Sequence, residues 1–232
     1  MIRKINLFCI FSLIAFNAHS QMFKTVSVEY TRTTKQKESE EMIKGHIYYD
    51  GNKTIVITKE PVNQRMVLEN NIILIYYADE KRAIRIKSQN PVTLPFFQSF
   101  IGLVDENLGL AKLGYTIDKN ELHGDTLFVY WKPPKNAEKL LGEFILALKN
   151  NRIVLTKSKA PDGKTMIQTS YNNYIKHDNQ FFPLKIKSVL YSEKNITTES
   201  IIYNNPIFNA PLSKQISQFE LPDNIKVKEV EW

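Results

Sequence analysis

The sequence predicts a mainly β protein: an antiparallel meander of about ten strands, bent into a strongly curved sheet or an incomplete barrel, with one helical excursion. Three observations carry this. Short runs of β-branched and aromatic residues alternate with polar ones along most of the chain. Asn, Asp and Gly separate them at hairpin spacing. The uncharged stretch "NPVTLPFFQSFIGLV", 90–104, breaks the period in a chain that is otherwise 24% charged.

The first twenty residues form a separate object. Arg3 and Lys4 make a basic start, "INLFCIFSLIAF" an apolar core, and "AHS" before Gln21 a small-x-small cleavage pattern. Residues 1–20 are therefore expected to be a signal peptide and 21–232 a single domain, within the size range of one β domain. The only cysteine, Cys9, lies inside the apolar core and not after small residues at its end. That arrangement predicts an exported, soluble product without lipidation at Cys9 and without disulfides.

In "TVSVEYT" the alternation puts Val26, Val28 and Tyr30 on one face. "GHIYY" and "KTIVIT" flank Asp50-Gly51-Asn52, and Asp-Gly favours the positive φ angles of tight hairpins. "RMVLE" and "IILIYY" flank Asn70-Asn71 in the same way, as "EFILALK" and "RIVLTK" flank Asn150-Asn151. After Asn90, residues Phe96, Phe97, Phe100, Ile101, Leu103 and Val104 fall at helical spacings, which predicts a helix or two over Pro91 to Leu113. Strands resume with "YTIDK", "TLFVYWK", "TMIQTSYNNYI", "FFPLKIKSVLY" and "ITTESIIY", with a strong turn at "APDGK". The uncharged stretch has two prolines and falls short of the roughly 20 apolar residues that span a bilayer. It either plugs a core or covers an apolar ligand.

The formal charge of +7 is mild, and Arg3 and Lys4 account for two of the positive charges. The lysines are dispersed without an arginine-rich block, so nucleic acid is not an expected partner. His46, His123 and His177 fall in different hairpins, with no HExxH spacing, and there is no GxSxG, P-loop or GxGxxG. Carboxylates such as Glu40, Glu41, Asp79, Glu80, Asp105 and Glu106 occur mostly at turns or helix ends. The expectation is a protein with no catalytic residues, no metal site and no cofactor.

The order "GHIYYDG", "RMVLENNIILIYYADEKRAIRI", "PVTLPFFQSFIG", "YTID", "GDTLFVYWKPPKN", "FILALKNNRIVLTKSKAPDGKTMIQTSYNNY" and "FELPDNIKV" resembles the periplasmic outer-membrane lipoprotein carrier family (LolA/LolB-like) over Gly45 to Val227. The resemblance implies an incomplete antiparallel β-barrel with a helical lid over its concave face. It also implies a cavity for lipoprotein acyl chains or another lipid. The lid would present Phe96, Phe97, Phe100, Ile101 and Val104. The cavity would be lined by Leu68, Ile73, Ile75, Phe128, Tyr130, Phe144 and Leu146. A monomer in the periplasm would receive cargo from an inner-membrane donor complex and pass it to an outer-membrane acceptor. The sequence departs from the family pattern at "YYDGNKTIVI", which lacks the arginine that often tethers the lid. An envelope sensor or interaction module on the same half-barrel is the alternative reading, whereas a lipid-directed enzyme lacks a nucleophile. Burial of acyl chains at about 0.8 kcal/mol per methylene supplies the affinity.

N-terminal sequencing of the exported protein should begin at Gln21. An intact Met1, or a lipid on Cys9, would remove both the compartment and the soluble-carrier reading.

Overall fold

A computed structural model describes residues 23–88, 108–178 and 180–231. They form one fourteen-stranded sheet. The first meander contains β1 (Val26–Gln36), β2 (Ser39–Tyr49), β3 (Lys53–Glu60), β4 (Gln64–Glu69), β5 (Ile72–Tyr77) and β6 (Arg82–Lys87). The second contains β7 (Thr116–His123), β8 (Thr126–Lys132), β9 (Phe144–Lys149), β10 (Arg152–Lys159), β11 (Thr165–His177), β12 (Gln180–Tyr191) and β13 (Ile196–Phe208). β14 (Lys226–Glu231) closes the chain.

The spatial order is β14-β6-β5-β4-β3-β2-β1-β13-β12-β11-β10-β9-β8-β7. The two meanders therefore meet in the middle, where β1 pairs antiparallel with β13. The sheet is strongly curved and does not close, as the alternation predicts. β6 and β7, consecutive in the chain, lie near opposite edges of the open sheet.

Three expectations need correction. Among the described residues there are fourteen strands rather than about ten, and the two not singled out as strands are "RAIRIK" of β6 and the lysine-rich "KVKEVE" of β14. β14 also pairs in parallel with β6, so the sheet is not wholly antiparallel. Of the segment expected to be helical, residues 91–107 lie outside the described residues. Residues 108–113 form turns, since Leu108 and Gly109 have φ of 56° and 76°, incompatible with a right-handed helix. The hairpin signals hold: Gly51, Asn70, Asn150 and Asn151 all have positive φ in their turns.

The main core lies on one face, here the inner face. Val26 and Val28 are fully buried there beside Ile47, Tyr49, Phe182, Ile186 and Tyr203. At one end Phe23 stacks on Phe208 with ring centroids 4.5 Å apart, and Phe182 meets Phe208 edge-on at 5.6 Å. These rings close that end of the sheet. The long C-terminal segment crosses from β13 to the far edge. On the way Phe219 lies 4.1 Å from the Arg65 guanidinium and 6.0 Å from the Tyr76 ring. Arg65 and Tyr76 are cross-strand partners on the outer face, and Arg85–Glu229 at 2.6 Å fixes β14 against β6.

Gly45 marks the tightest backbone approach between β2 and β3. A Cβ there would sit 2.1 Å from the Ile57 carbonyl oxygen and 2.9 Å from the Tyr30 ring, which hydrogen-bonds through its hydroxyl to Thr58 at 3.0 Å. Gly45→Ala should destabilise the domain by about 1–3 kcal/mol, the usual effect of overpacking, and shift the thermal midpoint accordingly. An unchanged midpoint would mean that β2 and β3 part at this point without loss.

Candidate functional site

The inner face is built from two cross-strand rows in the first meander. Val28, Ile47, Val56, Met66, Ile75 and Ile84 form one continuous row from β1 to β6. Val26, Tyr49, Thr54, Leu68, Ile73 and Ile86 form the next. Burial falls along each row: Val26 and Val28 are wholly covered, whereas Ile73, Ile75, Ile84 and Ile86 are only half-buried. In the second meander Leu127, Val129 and Trp131 of β8 face Leu148, Leu146 and Phe144 of β9. There again Val129, Trp131 and Leu146 are buried while Leu127, Phe144 and Leu148 are partly accessible. Ile153 packs against both clusters, so the two flanks share one apolar face. The result is a trough with a solid middle and two half-covered flanks.

Leu108, Leu110 and Tyr115 pack over the Trp131–Leu146 flank, so the chain leaving the uncharged stretch rests on the inner face. Tyr115 is held there by a hydrogen bond from its hydroxyl to the Gly142 carbonyl at 3.2 Å.

Several polar groups of this face bond one another, while the Thr54 hydroxyl and the Trp131 indole nitrogen are buried without a hydrogen-bond partner among the described residues and Arg32 lies 3.8 Å from Glu199. Thr169 and Ser188 share a 2.9 Å hydrogen bond, and Thr156 meets the Tyr171 hydroxyl at 3.3 Å. Burial pushes the Tyr171 hydroxyl up to about 12, opposed by that Thr156 bond. Burial likewise raises Tyr174 and Tyr203, and the Tyr174 hydroxyl donates to the Ile153 carbonyl. A surface of this kind suits a neutral hydrocarbon and disfavours ionised groups.

The structure separates the expected cavity residues into two sets. Leu68, Ile73, Ile75, Phe144 and Leu146 lie on the inner face. Phe128 and Tyr130 do not: they alternate with Leu127, Val129 and Trp131 and point to the other side of β8. There Tyr130 donates to Glu121 at 2.9 Å beneath the Lys119 ammonium, and Phe128 meets His123 edge-on at 5.3 Å. "TLFVYW" is apolar on both faces, so its period of two gives no sign of which parity turns inward. Phe96, Phe97, Phe100, Ile101 and Val104 lie outside the described residues. Sequence reasoning overlooked Met66, Ile84 and Ile86. "RAIRIK" carries a clean alternation that could have identified the last two.

Catalytic groupings do not emerge among the described residues. His46 stacks on Tyr48, His123 contacts Glu121 and His177 sits among Phe23 and Phe208, three separate places. No cluster of His, Cys, Asp and Glu among the described residues could hold a metal ion. A depression of about 350 Å³ near Pro133, Leu141, Gly142, Glu143 and Lys159 lies among loops between β8 and β11, away from the apolar rows. Among the described residues no helix is long and apolar enough to cross a membrane.

The unclosed, strongly curved sheet defines the class of protein, and solved structures share it. A protein of the DUF1329 family from Desulfovibrio piger is 12% identical over 84% of this chain and 90% of that chain, with a TM-score of 0.58. An outer membrane lipoprotein-sorting protein domain from Vibrio parahaemolyticus is 11% identical over 84% and 89%, with a TM-score of 0.56. A LolA superfamily protein from Nitrosomonas europaea is 14% identical over 83% and 90%, with a TM-score of 0.54. The chain shares its fold with these proteins. No family model matches the sequence, and no curated protein matches it.

The buried tyrosines define an alkaline limit. With its folded pKa raised to about 12 against 10 in the unfolded chain, Tyr171 contributes stability that is complete below pH 10 and is lost as pH rises toward 12. The loss from this group amounts to roughly 2–3 kcal/mol at pH 12. Denaturant midpoints measured from pH 8 to 12 should fall above pH 10, and Tyr171→Phe should flatten part of that fall. An identical profile in the variant would show that Tyr171 ionises freely in the folded protein.

Proposed function

We propose that this protein is an exported, non-enzymatic carrier that binds acyl chains of lipoproteins, or of another lipid, on the inner face of its half-barrel. The observation that carries the reading is the graded trough: two rows across six strands, apolar but for Thr54, fully packed at β1 and half-covered at β5 and β6. A plain core would be covered throughout. The fold, shared with a LolA superfamily protein and a lipoprotein-sorting domain, supports the same reading.

The segment between β6 and β7 contains Phe96, Phe97, Phe100, Ile101 and Val104, and the strands it joins lie near opposite edges of the open sheet, which supports a role as the lid. Tyr115, Leu110 and Leu108 would anchor one end of that lid. The work is done in the periplasm after loss of residues 1–20, with a donor at the inner membrane and an acceptor at the outer membrane. Partial burial keeps affinity moderate. Each methylene moved from water to the trough contributes about 0.8 kcal/mol, so part of one chain suffices for carriage without preventing release.

Ile75→Glu should weaken an environment-sensitive acyl probe at least tenfold while the protein stays folded, because a half-covered position leaves the carboxylate access to water. Val28→Glu, at a fully covered position, should unfold the domain, since a buried unpaired carboxylate costs several kcal/mol. Phe100→Glu should behave as Ile75→Glu does. Probe fluorescence and a thermal melt on each sample measure both. Should Ile75→Glu and Phe100→Glu unfold while the wild type never takes up the probe, the inner face is a filled core and the carrier reading falls.

A further inference from the structure

The outer face of β11–β13 has a composition that the trough does not explain. Its side chains fall into four rows across the strands. Tyr191 and Ile196 are cross-strand partners in the outermost row, and Met166 continues it, since the neighbouring Ile167 pairs with Leu190. These three are 41%, 57% and 47% exposed, respectively. The next row is Lys157, Gln168, Val189 and Thr198. Behind it come Ser170, Lys187 and Ser200, then Asn172, Lys185 and Ile202. Lys185 and Lys187 are exposed, alternating with the buried Ile186 and Ser188 of the inner face.

Two features of this face point to one kind of partner. It carries three lysines and no carboxylate across these rows among the described residues. Around it, Glu193 lies in the β12–β13 turn, Asp162 is paired with Lys164 at 2.8 Å, and Glu40, beyond Thr198 in the second row, is paired with Lys35 at 2.9 Å. Three exposed apolar groups form the leading edge, where β11, β12 and β13 end, with the lysines set back along the strands and a fourth, Ile202, exposed beside Lys185. An aliphatic and aromatic edge backed by lysines on long stems matches the depth profile of a membrane interface. Apolar tips reach the acyl boundary while the ammonium groups stay at the level of anionic headgroups. A protein partner would demand complementary acidic groups opposite the lysines and a flat apolar centre. Here three of the four exposed apolar groups sit at the edge instead.

We propose that the outer face of β11–β13, led by Met166, Tyr191 and Ile196 and backed by Lys157, Lys185 and Lys187, docks the protein on an anionic phospholipid bilayer. This surface lies on the side of the sheet opposite the trough, so docking leaves the inner face free.

Co-sedimentation of the mature protein with phosphatidylcholine vesicles, with and without phosphatidylglycerol, tests the proposal. Binding should require phosphatidylglycerol and weaken steeply with salt. Lys157→Gln/Lys185→Gln/Lys187→Gln should lower partitioning at least tenfold, and Met166→Ser/Ile196→Ser severalfold, with thermal midpoints near wild type because all five side chains project from the sheet surface. Acyl-probe uptake by the same variants, measured without vesicles, should be unchanged, which separates this proposal from the carrier reading. The proposal is overturned if the wild type fails to sediment with anionic vesicles or binds neutral ones equally well. It is also overturned if both sets of substitutions leave partitioning unaltered, or if light scattering shows that the face is covered by a second copy of the chain.

Discussion

The β1–β13 ladder is the constraint on which the rest depends. Ten cross-strand pairs, from Val26–Phe208 to Gln36–Thr197, join the beginning of the chain to a strand about 170 residues later. Without it each meander would expose an open edge and half an apolar face. With it, Val26 and Val28 lie between the flanks and vanish from solvent, while Tyr203 and Ile186 pack beside them. The pairing is long-range and has to await folding of the second meander, so closure of its large loop opposes it until apolar burial compensates.

That central seam also sets where the sheet is solid and where it is accessible. On the inner face packing is closed at Val26, Val28, Phe182 and Ile186 and thins toward β5 and β6, while β8 and β9 hold a second buried cluster around Val129, Trp131 and Leu146. At one end Phe23, Phe182, Phe208 and His177 stack into a plug. The parallel addition of β14 to β6 covers what would otherwise be a bare edge, and Phe219 on Arg65 anchors the crossing segment. The other edge, β7, is guarded by charge: Lys119, His123 and Tyr130 all hydrogen-bond to Glu121, and these contacts, Lys119 foremost, hold its carboxyl down at about 2.

An apolar trough on one side and a lysine-backed face on the other divide the labour of the sheet. Period-two alternation makes this possible, because each strand presents independent side-chain sets to its two faces. In β12, Ile186 and Ser188 belong to the packed interior while Lys185 and Lys187 remain in solvent. Substitutions on one set can therefore change one surface with little effect on the other.

The sequence by itself determined the fold class, the hairpin turns at Gly51, Asn70 and Asn150, and the face shared by Val26, Val28 and Tyr30, because φ preferences and alternation act over a few residues. Leu68, Ile73 and Ile75, expected only from the family resemblance, share the inner face, although "IILIYY" is apolar on both faces and gives no local sign of it. Only the tertiary structure decided that Phe128 and Tyr130 turn away from the trough. A strand that is apolar on both faces has no local signal for which one is inward, and the choice is made by Leu146 and Phe144 on the neighbouring strand. The meeting of β1 with β13 and of β14 with β6 was equally beyond local reading, because strand pairing across such separations is chosen by the combined burial of the whole sheet.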